Sequence, residues 1–168
     1  DTLTVNFNFN SGPGNTDQRV TFPNGMSVIK IYADQLNNNK TDADHSNDTI
    51  TRYFCSPLSG TFTINPLSAS STTNFQSFNE AVDALVLCGV NGNVTFNVSN
   101  GTYNEQVRIP EINGSASSHR ITFQSASGDS SKVILTWPSS NTDPLNYTLL
   151  LDSADYITFN KMTIARTG

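Results

Sequence analysis

The sequence predicts an all-β protein in two unlike parts, on three observations. Short runs of β-branched and aromatic residues recur from residue 3 to residue 165, separated by turns rich in Gly, Asn, Ser and Asp. One segment only, residues 75–88, carries an apolar stripe at helical spacing. Beyond it, short strand patterns follow one another with no crossover helix between them, which excludes a doubly wound sheet. Stacked coils of three short strands each, a parallel β-helix, fit this second part; an antiparallel sandwich is the alternative.

The first part covers residues 1–57. Leu3, Val5, Phe7 and Phe9 alternate with Thr4, Asn6 and Asn8, setting one apolar face against a core. Residues 19–22 form a second strand before the turn signal Pro23-Asn24-Gly25, and residues 27–32 form a third. After a polar loop over 34–47, residues 48–54 supply a fourth. Four strands fall short of the roughly seven of an immunoglobulin-like sandwich, so the reading is a partial sandwich with its first strands upstream of Asp1. Pro57 and Gly60 mark 56–60 as a hinge.

The second part covers 58–168. A strand over 60–64 and a polar linker over 68–74 lead to the helix, where Phe78, Ala81, Val82 and Leu85 line one face and Gly89 supplies a stop. Such a helix needs an apolar surface to cover, and in a β-helix it caps the open end of the first coil. Strands are expected at 94–98, 106–109, 120–124, 132–136, 147–151, 156–159 and 162–165, with Gly101, Gly114 and Gly128 in turns. Residues 156–159 and 162–165 are joined too tightly for a hairpin, which makes Asn160 the expected left-handed corner residue, able to join a ladder of stacked amides. A last coil with nothing above it predicts further coils in a longer parent chain.

Over the 168 residues the net charge is −5 and charged residues make up only 14%, which argues against a nucleic-acid partner and for an extracellular surface. No apolar run approaches the roughly 18 residues that span a bilayer, and the start has neither an initiator Met nor a signal-peptide core. The chain therefore reads as a soluble piece of something longer. Its two cysteines, Cys55 and Cys88, read most simply as a disulfide worth roughly 3–4 kcal/mol on loop-closure grounds; two unrelated buried thiols are the alternative.

Asp42, Asp44, Asn47 and Asp48 offer oxygen ligands suited to Ca²⁺, although an Asx-rich turn has the same composition. No other cofactor is implied. Asp129, Asp143, Asp152 and Asp155 are the carboxylates available for glycoside acid/base chemistry, yet all have turn-like surroundings. His45 and His119 fall in polar loops without a Ser/Asp constellation and are expected to be exposed. Trp137, at a strand end before Pro138, either contacts a glycan or shields a coil corner. The sequons at Asn97 and Asn146 matter only in a eukaryotic host.

Phe78-Asn79-Glu80-Ala81-Val82, residues 94–98 and Gly101-Thr102-Tyr103-Asn104-Glu105 together resemble the beginning of the pectin-methylesterase and pectate-lyase-like right-handed β-helices. The wider set is Ser59 to Ile64, the Ala-Val-x-Ala-Leu helix ending in Cys88-Gly89-Val90, the run 101–107 and the run 155–164. It is similar to a segment of very large adhesin-like proteins that gliding Bacteroidetes export through the type IX secretion system. There the segment follows an immunoglobulin-like, adhesion-type repeat ending in Asn-Asp-Thr-Ile-Thr, here 47–51.

The resemblance implies a secreted protein on the exterior of a bacterial outer membrane. Its implied role is a non-catalytic stalk or adhesive module, with gliding or secretion components and a surface polysaccharide as partners. The alternative it implies is the first part of a carbohydrate-active enzyme, a pectin esterase or polysaccharide lyase, with its active site in later coils. The catalytic carboxylates, glutamines and arginine of the esterases have no counterpart here, so no catalytic residue carries over. Glu105 matches the family's turn glutamate, with a structural role as acceptor for turn amides. The bacterial source also implies O-glycosylation at Asp-Thr/Ser sites, here Thr2, Thr49 and Ser153.

Overall fold

The computed structural model describes residues 25–32, 49–141 and 146–167, with backbone alone for 25–32 and 49–54. Among them the chain is all-β, twelve strands with one helix. Strands β1 (Gly25–Tyr32) and β2 (Thr49–Ser56) pair antiparallel, from Gly25 opposite Ser56 to Tyr32 opposite Thr49. The expected strands at 3–9 and 19–22 lie outside the described residues. Every later ladder is parallel.

After β3 (Leu58–Ile64), β4 (Asn74–Phe75) and α1 (Phe78–Cys88), the chain makes short strands in regular succession. They are β5 (Val90–Val98), β6 (Gly101–Asn104), β7 (Val107–Pro110), β8 (Ile121–Ser125), β9 (Val133–Pro138), β10 (Leu149–Asp152), β11 (Ile157–Asn160) and β12 (Thr163–Thr167). These sort into three ladders: β4-β3-β5-β8-β11, β6-β9-β12 and β7-β10. From β5 onward the chain visits first, second and third ladder in rotation, so each circuit lies directly on the one before.

Alternation sets what each ladder turns inward. In β5, Val94, Phe96 and Val98 are buried while Thr95 and Asn97 between them are half-exposed; in β8, Ile121 and Phe123 are buried on either side of Thr122. Tyr103 and Leu135 from the second ladder and Val107 and Ile109 from the third close the same core. Register places identical side chains above one another. Phe62, Phe96, Phe123 and Phe159 are in line, with ring centroids 5.6, 4.8 and 5.1 Å apart along the series. Those spacings follow the strand separation of about 4.7–4.9 Å, and each aromatic contact adds about 0.5–1.5 kcal/mol beyond burial.

The helix begins at Phe78, three residues later than its apolar pattern suggests. Ser77 is the cap: its Oγ accepts from Glu80 N–H at 3.0 Å, while Glu80 Oε2 accepts from Gln76 N–H at 2.5 Å. Asn74 and Phe75 pair with Thr63 and Ile64 instead, and Phe75 packs on Phe62 and Phe96. The buried face is Phe78, Ala81, Val82, Leu85 and Cys88, set against β3, β4 and β7. Gly89 ends the helix at φ +67°, where a Cβ would stand 2.7 Å from Asn113 O. Gly114, at φ +85°, turns toward the Val90 carbonyl so closely that a Cβ would collide with it.

Three expectations change. Gly101 opens a strand rather than a turn, because Tyr103 points into the core and Gly101 N–H donates to Lys132 O. Residues 56–60 are not a hinge: Leu58 starts β3, is 1% exposed and donates its N–H to Gly89 O. Asn160 stays in β11 opposite Gln124, and Lys161 takes the left-handed corner at φ +51°.

Candidate functional site

One end of the stack is closed. The Glu105 carboxylate, one residue past β6, accepts from the first helical amides, Phe78 N–H at 3.1 Å and Asn79 N–H at 2.9 Å, and from Asn79 Nδ2 at 2.9 Å. These are amides that a helix start leaves without partners, and a carboxylate also favours the positive end of the helix dipole. Glu105 thus has a structural role, as expected, although its donors belong to the helix rather than a turn. Beside it, Phe78 meets Tyr103 edge-on at 5.1 Å and reaches Phe123 at 5.8 Å. Burial pushes the Tyr103 phenol up to about 12, with the Glu105 charge adding to the effect. Its hydroxyl donates to Ser99 O at 2.8 Å.

Asn74 organises the linker. Its Nδ2 donates to the carbonyls of Asn65, Ser68 and Ala69 at 3.1–3.2 Å, and its Oδ1 accepts from Thr63 Oγ1 at 2.6 Å. Between this linker and α1 lies a groove of about 550 Å³ lined by Leu58, Ser71, Phe75, Glu80, Ala84 and Leu87. Its lone hydrogen-bonded carboxylate already serves the helix start.

The outer face of the long ladder is regular and uncharged. Thr61, Thr95, Thr122 and Thr158 stand in one row, and Thr63, Asn97, Gln124 and Asn160 in the next. Gln124 Nε2 donates to Asn97 Oδ1 at 2.9 Å, one rung of the expected amide ladder. The four hydroxyls of the first row make no hydrogen bond to another described residue. The signal for this face was in the sequence as a repeated tetrad, Gly60-Thr61-Phe62-Thr63, Val94-Thr95-Phe96-Asn97, Ile121-Thr122-Phe123-Gln124 and Ile157-Thr158-Phe159-Asn160. Sequence reasoning missed it because its spacing is uneven.

At the other end, the last described level is less covered than the levels beneath it. Leu151 stands over Ile109 and Ile164 over Leu135, yet exposure rises from 0% for the covered pair to 46% and 40% for the outer one. Ile157 and Phe159 are likewise only half-buried, whereas Ile121 and Phe123 below them are fully buried. Six inward positions, these four with Leu149 and Met162, therefore meet solvent at one end.

Cys55 and Cys88 form a disulfide with Cα atoms 4.9 Å apart, joining the end of β2 to the last residue of α1. Thr2, Asp42, Asp44, Asn47, Asp48, His45 and Asp143 lie outside the described residues. Thr49 opens β2, and Ser153 is exposed at φ +61° between β10 and β11. Trp137 is half-buried within β9 opposite Arg166, away from the groove. Arg108 pairs with Asp152; Asp129 accepts from Ser131 Oγ and N–H, which hold its carboxyl below the usual range. No hydrogen bond joins any two of Asp129, Asp152 and Asp155. His119 is half-buried rather than fully exposed, its Nδ1 3.0 Å from Gly114 O.

Among the described residues no group of three or more His, Cys, Asp and Glu side chains is placed to hold a metal ion, and no helix is long and apolar enough to cross a membrane. No family model, curated protein or solved structure matches this chain.

Proposed function

We propose that this chain is the capped first part of a right-handed parallel β-helix, acting as a non-catalytic stalk or adhesive module of a large exported surface protein. The observation that carries the reading is the helix held by Glu105 over one end of parallel ladders that the chain visits in rotation. Parallel crossovers are right-handed in about 98% of cases, which favours the right hand. In the same reading β1 and β2 belong to an immunoglobulin-like repeat over 1–57, tied to the helix by the disulfide, which suits an oxidising compartment. Thr49 and Ser153 remain candidates for O-glycosylation, and the neutral Thr/Asn face suits a polysaccharide better than a polyanion.

The test has two arms. Antibody against the chain is expected to label intact cells of the source organism, and protease added outside is expected to remove the label. Pectin, polygalacturonate and neutral polysaccharides incubated with the polypeptide, in whichever natural length the cells make it, are expected to release neither methanol nor unsaturated or reducing ends. Such release would replace the stalk with an esterase or lyase.

A further inference from the structure

Four Asn-Gly pairs punctuate the chain, at 24–25, 91–92, 100–101 and 113–114. This dipeptide carries a chemistry of its own: with no side chain on the second residue, its backbone nitrogen can reach the asparagine side-chain carbonyl. In a folded chain the freedom of that peptide to turn decides whether it does so. Asn24 lies outside the described residues, and the structure distinguishes the other three.

Asn91, Asn100 and Asn113 are all exposed, so access to water does not separate them. Their backbones do. Gly101 N–H donates to Lys132 O at 2.8 Å and the Asn100 side chain accepts from Ser127 Oγ at 2.7 Å, so both reacting groups are engaged. The carbonyl of Asn113 accepts from Val90 N–H at 2.9 Å, and Gly114 packs so closely on the Val90 carbonyl that the peptide joining Asn113 to Gly114 is pinned from both sides. Asn91 and Gly92 lie instead in a bulge of β5. Register pairs Leu58 with Val90 and Gly60 with Val94, which sets Asn91, Gly92 and Asn93 opposite Ser59 alone. On its other side β5 pairs with β8 only from Val94 onward, so Asn91 and Gly92 have no register partner in either neighbour. The ends of the bulge are held, by Val90 N–H on Asn113 O and by Arg120 N–H on Asn93 Oδ1 at 2.9 Å, while its middle carries surplus chain.

We infer that Asn91 is a self-modifying site, converted without an enzyme to aspartate and isoaspartate while the pairs at Asn100 and Asn113 persist. The Gly92 nitrogen attacks Cγ of Asn91 and gives up its proton, the bond from Cγ to the side-chain nitrogen breaks, and ammonia leaves a five-membered succinimide behind. Water then opens the ring at either carbonyl, giving aspartate or the isomer whose main chain runs through the former side chain. Each product brings a new negative charge, and the isomer also lengthens the backbone, which a bulge accepts more readily than a paired strand. The charge arises beside the junction of β3, the helix end at Gly89 and the turn at Asn113.

The test incubates the intact, disulfide-bonded chain at mildly alkaline pH and follows each pair by peptide mapping with fragment masses, with isoaspartyl methyltransferase labelling as a second readout. Asn91 is expected to convert about tenfold or more faster than Asn100 and Asn113, because those pairs must first give up a native hydrogen bond. In the reduced chain unfolded in guanidinium chloride all the pairs are expected to convert at similar rates, since each asparagine then has the same following residue. Conversion of Asn100 or Asn113 as fast as Asn91 in the folded chain overturns the inference. So does a lead for Asn91 that survives unfolding, because local sequence rather than the bulge is then the cause. An Asn91 that stays intact in the folded chain while the unfolded chain converts overturns it as well.

Discussion

Tyr103 in β6 and Glu105 just beyond it divide the work at the closed end, the carboxylate holding the helix start and the phenol filling the core beneath it. Replacing Glu105 by Ala strands two helical amides, and urea unfolding is expected to show a loss of about 1–2 kcal/mol. The same variant is expected to lower the Tyr103 titration, since its charge adds to the burial that raises it. The sign for stability follows from that shift. The folded phenol keeps its proton to about 12 while the unfolded one releases it near the ordinary 10.0, so the contribution is complete below pH 10 and fades as pH rises toward 12. An ultraviolet titration of the native chain is expected to show one phenol lagging, and Tyr103→Phe to remove it.

Among the elements, α1 and the disulfide form one unit, because Cys88 is both the last helical residue and the bridge to β2. The double variant Cys55→Ser, Cys88→Ser is expected to lose about 3–4 kcal/mol in urea, with a steeper dependence because its unfolded chain expands. The helix and most strands were legible from period alone: Phe78, Ala81, Val82 and Leu85 declare a face, and so do Val94, Phe96 and Val98. The true helix start was legible too, in Ser77-x-x-Glu80, but Phe75 extended the apolar stripe and disguised a strand residue as a helical one. β6 was hidden because Gly101-Thr102-Tyr103-Asn104 has turn composition, and only the surrounding core makes Tyr103 an inward residue. The tight pairing of Leu58 with Val90 was not legible, since register between strands about thirty residues apart is a tertiary fact.

At the scale of the whole molecule, the described levels differ in cover, and their stability in this chain is expected to be graded. Phe96→Ala, between two rings, is expected to cost about 3–5 kcal/mol, and Phe159→Ala, at the last described level, only about 1–2 kcal/mol. Hydrogen exchange is expected to give the matching order, with β5 opening last and β11 first, because each circuit is supported only by its neighbours.

The stacked phenylalanines also say something about how such a chain assembles in time. Phe62, Phe96, Phe123 and Phe159 lie 34, 27 and 36 residues apart, so each new level closes a loop of similar length however many levels precede it. The closed end precedes the later circuits in the chain and holds the only helix among the described residues and the disulfide, a seed that is complete before its successors are made. Every later turn then condenses onto a finished template at a nearly constant entropic toll, and the search does not slow as the structure lengthens. Such a polypeptide can wind itself up level by level as its chain is made.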